Sequence, residues 1–186
     1  QWKSIKNYEN LFGQDLDEDG EIGISISTLT SSKYDSNGWL LKKEIDSSGN
    51  TKGLYIVNNQ EEESSLISIK DQWGYQVSLD WNSSWGYGSS SSIVQAVEKN
   101  TDGTFSLVVK STNSYDSSST STDWTIYKIS SDGTFDWSDS TYTSDIKFYE
   151  TSLFLDDLND DGTVGIDFSE LSDISTDTFS ETLKYD

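Results

Sequence analysis

The chain contains no cysteine, histidine, proline, methionine or arginine. Without cysteine it has neither a disulfide scaffold nor a thiolate metal site. Without histidine or cysteine, catalysis would fall to a carboxylate pair or a bound metal. No nucleophile elbow, phosphate loop or zinc signature accompanies the carboxylates, so an enzyme is not expected. The missing initiator methionine reads as a chain processed or cut from something longer, which leaves the lack of a signal peptide without weight. No apolar run approaches the length of a membrane span, and membrane insertion is not expected. Positive charge is scarce: 12 lysines stand against 33 acidic residues, for a formal net charge of −21. Such a surface repels phosphate backbones, and arginine, the usual reader of base edges, is absent. Nucleic acid is not an expected partner.

What the chain does have is rings. Hydrophobic residues make up 32% of its 186 residues, yet 13% are aromatic, including seven Trp. A disordered acidic chain would be poor in aromatics, so a core built largely from them is available. A small external domain without disulfides needs another staple, and a metal ion is the obvious one.

The acids are ordered. "DLDEDGEIGISISTL" (Asp15 to Leu29) aligns without a gap to "DLNDDGTVGIDFSEL" (Asp157 to Leu171). Asp15, Leu16, Asp19, Gly20, Gly23, Ile24, Ser27 and Leu29 all recur in the second copy, so the match crosses apolar positions as well as acidic ones. Upstream, "YENLFGQD" and "YETSLFLDD" share Tyr-Glu and Leu-Phe pairs, with one extra residue in the second. Downstream, "KYD" at Lys33 to Asp35 returns at Lys184 to Asp186. The spacing is too long for a solenoid repeat of about 20–50 residues and matches a whole domain. The expected organisation is the end of a preceding repeat over 1–29 (helix, calcium loop, strand), one complete repeat over 34–171, and a linker with the start of a next repeat over 172–186.

Each string has the composition of an EF-hand-type calcium loop, which takes oxygen ligands from its first, third and fifth residues, Gly at the sixth and a backbone carbonyl at the seventh. The first copy supplies Asp15, Asp17, Asp19, Gly20 and the carbonyl of Glu21; the second supplies Asp157, Asn159, Asp161, Gly162 and the carbonyl of Thr163. All-oxygen ligation favours Ca²⁺, and acids this crowded repel one another without a cation. Two calcium sites are expected. The bidentate Glu of the full motif is replaced by Ile26 and Phe168, so the missing oxygens must come from water or from elsewhere in the fold. Affinity on the order of 10⁻⁴–10⁻³ M, as in extracellular modules, follows from so incomplete a loop.

Trp2, Ile5, Tyr8 and Phe12 lie at helical spacing before the first loop; Ile146, Tyr149 and Leu153 do so before the second, with Ser144 as a candidate N-cap. After the loops, "IGISIS" and "VGIDFS" read as strands. "WLLKKEI", "GLYIVN", "SLISIK", "YQVSLDW", "SIVQAVEK", "FSLVVK" and "DWTIYKIS" read as strands between them. In "YQVSLDW" the alternation puts Tyr75, Val77, Leu79 and Trp81 on one core-facing side. Ser48-Gly49-Asn50, Asp102-Gly103 and Asp132-Gly133 are turn signals, and the Ser runs at 89–92 and 117–121 read as loops. The fold expected is mainly β (α+β), an antiparallel β-sandwich or open barrel with short helix–calcium loop–strand elements at its ends.

"GWLLKKEIDSSGNTKGLYIV", "AVEKNTDGTFSLVVK", "TDWTIYKISSDGTFDWS" and the closing "YETSLFLDDLNDDGTVG" together resemble the tryptophan-rich repeat domain named for the C-termini of Synechocystis proteins and found in large secreted bacterial proteins. The resemblance covers roughly Ser36 to Gly165. The family's closing motif usually looks like "DLNGDGTIG", which Asn159, Gly162, Thr163 and Gly165 match, with Asp160 in place of the first Gly. It implies a repeated module of large surface or exported proteins and no particular activity.

The function expected is a calcium-stabilised structural or display module in a tandem array, extracellular or at the cell surface, with neighbouring repeats as partners. The alternative is a glycan-binding module. Trp73, Trp85 and Tyr87 fall at expected loop positions, where aromatic faces suit the rings of a surface polysaccharide.

Overall fold

A glycine in the left-handed region lets the chain reverse at four places by one design. The computed structural model describes residues 5–18, 20, 22–32, 38–58, 60, 65–115 and 119–167. In the turns 46–50, 71–75, 100–104 and 130–134, the first residue's N–H donates to the last residue's carbonyl and the glycine N–H donates to the first residue's carbonyl. Gly49, Gly74, Gly103 and Gly133 have φ between +82° and +85°. This is the three-residue hairpin connection in which a type I turn is followed by a left-handed residue. Aspartates fasten it: Asp46 accepts the N–H groups of Ser48 and Asn50, and Asp71 those of Trp73 and Tyr75.

The turns join strands of two sheets. Strands β1 (Thr30–Ser31), β2 (Trp39–Ile45), β3 (Thr51–Asn58) and β4 (Ile67–Ser68) form an antiparallel sheet in that order. Strands β5 (Lys70–Asp71), β6 (Trp81–Trp85), β7 (Gly88–Lys99), β8 (Phe105–Tyr115), β9 (Ser119–Ile129) and β10 (Thr134–Thr143) form a curled, open sheet in the order β5-β10-β9-β8-β7-β6. Among the described residues, the β5–β10 pair alone runs parallel. The architecture is the mainly β, sandwich-like open arrangement expected from the strand signals.

Register decides which side chains meet. Val94, Val109 and Thr125 are directly opposite one another, and so are Val97, Leu107 and Tyr127. Their face of the large sheet buries Val94, Val97, Leu107 and Val109 against Leu41, Leu54 and Ile56 of the small sheet. Asp80 ties the sheets together, accepting bonds from Lys43 Nζ (2.6 Å), Thr51 Oγ1 (2.8 Å) and the Val94 N–H (2.6 Å). The opposite face carries Ala96, Val108, Trp124 and Ile126. It is covered by Ile146, Phe154 and Leu158 of the second helix and loop.

Five readings of the sequence are corrected. "SLISIK" is two strands: fully buried Ile69 separates β4, which pairs with β3, from β5, which pairs with β10. "YQVSLDW" forms no continuous strand before Trp81; Val77 and Leu79 are buried, but Tyr75 is 43% and Trp81 50% exposed. The Ser89 to Ser92 run lies inside β7, paired on both sides, because the ladder to β6 and β8 outweighs the weak strand preference of serine. Ser119 to Ser121 likewise belong to β9, while residues 117 and 118 lie outside the described residues. "IGISIS" is irregular up to a 3₁₀ turn at Ile26–Thr28, and the strand starts only at Thr30.

Helix α1 spans Lys6–Phe12; α2 spans Lys147–Tyr149 and runs into a π-helical turn, Glu150–Phe154. Ile146 stands at the N-cap of α2, and it is the Asp145 carboxylate, not Ser144, that accepts the Lys147 N–H. Among the described residues, no helix is long and apolar enough to cross a membrane.

Candidate metal centre

The described residues of both acidic strings follow the same course. Each helix ends on a left-handed residue, Gly13 (φ +62°) or Leu155 (φ +57°). Left-handed residues then recur at Glu18 and Asp160, at Gly20 and Gly162, and at Gly23 and Gly165. Asp15 Oδ2 accepts the Gly20 N–H at 2.8 Å, and Asp157 Oδ2 accepts the Gly162 N–H at 2.8 Å. These bonds curl the loop around its first carboxylate. At φ +64°, Asp160 holds a left-handed conformation, and Asp is among the residues that tolerate that region.

A buried glutamate from the preceding helix holds each loop. Glu9 Oε1 accepts the N–H groups of Leu16 (2.9 Å) and Asp17 (3.0 Å), and its Oε2 accepts that of Gly23 (2.9 Å). Glu150 does the same with Leu158 (2.8 Å), Asn159 (3.0 Å) and Gly165 (3.0 Å). Burial alone would raise the Glu9 carboxyl, but the donors at Gly23, Leu16 and Asp17 bring it below the ordinary value. At Glu150 burial outweighs the three donors, the nearby Asp157 charge adds to it, and the carboxyl lies above the ordinary value. Sequence reasoning missed both glutamates. Their signal was the Tyr-Glu pair repeated ahead of each loop.

In the first loop, carboxylate oxygens of Glu9, Asp15 and Asp17 lie within 4.8 Å of one another. Asp15 Oδ1 is buried and accepts no hydrogen bond. A hard cation fits this donor set: it supplies the partner that a buried carboxylate oxygen otherwise lacks, and Glu9 adds an oxygen that the loop sequence does not contain. Asp19 and Glu21, the other ligands expected here, lie outside the described residues.

In the second loop, the structure brings Asp157, Asn159 and Asp161 together. The Asp161 N–H donates to Asp157 Oδ1 (3.1 Å) and Asn159 Oδ1 (2.9 Å), and Asn159 Nδ2 donates to Asp161 Oδ2 (3.1 Å). The Thr163 N–H donates to Asp161 Oδ1, so Thr163 sits at the same loop mouth. Lys147 Nζ lies 2.7 Å from Asp161 Oδ2, and this bond heads the causes that hold the Asp161 carboxyl below its usual range. The lysine ammonium stands where a cation's charge would act, so a metal bound here would compete with Lys147.

The aromatic candidates are on the surface. Trp73 is 63% exposed in the turn after β5, Tyr87 is 83% exposed in the β6–β7 turn, and Trp85 is 46% exposed. Trp85 closes strand β6 and is not in a loop; its ring lies against Gly88 across the hairpin. Comparison with protein-family models, with curated proteins and with solved structures finds no match to this chain.

Proposed function

We propose that the chain is a calcium-stabilised structural module of a tandem array in a large extracellular or cell-surface protein, without catalysis of its own. The observation that carries the reading is Asp15 Oδ1, a buried carboxylate oxygen without a hydrogen bond beside the oxygens of Glu9 and Asp17. Asp15, Asp17 and Glu9 would hold the first ion, with Asp19 and the Glu21 carbonyl completing the set. Asp157, Asn159, Asp161 and the Thr163 carbonyl would hold the second. The ion supplies charge neutralisation and fixes the loop between its helix and the outgoing chain. Weak sites at millimolar calcium add roughly 1 kcal/mol each, useful against a total stability of about 5–15 kcal/mol. Calorimetric titration tests this: the full chain takes up two calcium ions weakly, and Asp15→Asn with Asp157→Asn abolishes the heat. Equal heats from both proteins overturn it.

A second reading is favoured by the exposure of Trp73, Trp85 and Tyr87, with Trp81 beside them in the sequence at 50%. Flat exposed rings among serines suit sugar faces. Polysaccharide that quenches tryptophan fluorescence in the native chain but not in Trp85→Ala supports it. Absence of quenching across a glycan panel removes it.

A further inference from the structure

The described residues of the two loops take the same backbone turns, yet their apolar neighbours have opposite fates. In the first copy the helix side is bare: Ile5 is 44%, Phe12 62% and Leu16 39% exposed. Their counterparts in the second copy, Ile146, Phe154 and Leu158, are 0–1% exposed and packed on the outer face of the large sheet. Beyond the loop the pattern reverses. Ile24 is 8% exposed, packed with Leu29 on Tyr55, and the chain goes on to pair as β1 with β2. Its counterpart Ile166 is 45% exposed.

Each loop therefore has an incoming helix and an outgoing tail, and this β unit provides the seat for the helix of one loop and the tail of the other. Gln95 stands between the two seats. Its carbonyl accepts the Ser32 hydroxyl from the first tail, and its side-chain amide donates to the Leu158 carbonyl of the second loop at 3.0 Å. We infer that the tail beginning at Ile166 seats on a following unit of the same kind, as Ile24 seats on Tyr55 here, and that the bare side of α1 belongs on the outer sheet face of a preceding unit. The occupant is set by the molecule itself. Both seats on this chain are filled by segments whose duplicates are exposed at Ile5, Phe12 and Leu16 and at Ile166, and the sequence repeats Ile24, Ile26 and Leu29 as Ile166, Phe168 and Leu171. Ile5 and Phe12 stand seven residues apart on one side of α1, and a contiguous exposed apolar patch marks surface that a partner covers.

This deepens the tandem-array reading and rests on it. It makes each calcium loop a link anchored in one unit and fastened to the next, with the tail joining the neighbour's sheet edge by strand addition. Because both seats are filled within the chain, the chain alone stays monomeric.

The chain has no cysteine, so a single introduced thiol reports exposure directly. Ile24→Cys and Ile166→Cys are labelled with a maleimide in the full chain, and again in the full chain extended after Asp186 by a second copy of residues 36–167. Thiol 24 reacts slowly in both proteins. Thiol 166 reacts fast in the full chain and on the order of tenfold slower in the extended one. Equal labelling of thiol 166 in both proteins overturns the inference, even if calcium stabilises them. Should an extended cysteine variant fold poorly, Ile166→Asp is compared with Ile166→Val by melting. The aspartate lowers the melting temperature of the extended chain and leaves that of the single chain in place. An equal effect in both overturns the inference. Protection of thiol 166 without any calcium effect supports the junction and removes the metal.

Discussion

Glu9 and Glu150 grip equivalent backbone N–H groups in their loops, although the segment between glutamate and loop is one residue longer in the second copy. The extra residue is absorbed within the helix. The Gly13 N–H returns four residues to the Glu9 carbonyl, whereas the Leu155 N–H returns five to that of Glu150, and 150–154 is a π turn. A local π bulge lets an insertion leave both ends of the motif in place. Replacing the Glu150 carboxylate strands two buried donors, at Leu158 and Gly165, and a partly buried one at Asn159. Glu150→Ala is expected to cost roughly 3 kcal/mol or more, and Glu150→Gln less, since one oxygen remains to accept. Urea unfolding of the full chain measures both.

Leu155 holds a left-handed conformation that its counterpart, Gly13, adopts freely. Its side chain is 55% exposed, so little packing is lost on removing it. Leu155→Gly is expected to stabilise by about 0.5–1 kcal/mol, the relief of left-handed strain exceeding the backbone entropy that glycine brings. A rise in the urea midpoint with unchanged slope is the expected result.

Gly103 and Gly133 share φ +85° but not their surroundings. A Cβ at Gly103 meets nothing within 4 Å, whereas one at Gly133 runs into the Ser68 carbonyl oxygen and comes within 2.8 Å of Ile67 Cγ2. Gly103→Ala should cost about 1–2 kcal/mol for conformation alone. Gly133→Ala adds overpacking of about 1–3 kcal/mol, because backbone there must move. Thermal melting of the two variants is expected to rank them in that order.

The turn aspartates give the fold an acid limit. The Asn50 N–H foremost holds Asp46 down to about 2, and the Thr104 hydroxyl foremost holds Asp102 down to about 2. A folded value below the unfolded one, about 3.9, means that their stabilisation is complete above that value and is lost as pH falls through about 2. The melting temperature should drop between about pH 4 and pH 2, and less so in the Asp46→Ser, Asp102→Ser double variant. Glu150 has the opposite sign: with its folded value raised, the cost of its buried charge is absent below the unfolded value and sets in as pH rises through the folded one.

The strands and turns were legible because local chemistry fixes them. Asp102-Gly103 and Asp132-Gly133 lie in turns of the kind their residues demand, and "FSLVVK" and "DWTIYKIS" pair as neighbouring strands. The misreadings of "YQVSLDW" and "SLISIK" share one cause, which is that periodicity does not say which sheet covers a side chain. Tyr75 and Trp81 alternate with Val77 and Leu79 as a core strand would, but the chain there leaves regular pairing and puts both rings outside. Ile69 sits mid-run with no signal that the chain changes sheets on either side of it. The clustering of Asp157, Asn159 and Asp161 was legible from their spacing, whereas Glu9 reaches its loop from another element. Its role follows from three hydrogen bonds across the loop, which spacing alone does not encode.

The central claim is that the clustered carboxylates hold calcium and thereby tighten the links on either side of the β unit. Melting the full chain in chelator and again in millimolar calcium tests it most directly. Two weak sites of roughly 1 kcal/mol each predict a melting temperature about 4–8 °C higher with calcium. Superimposable curves under the two conditions would contradict the claim.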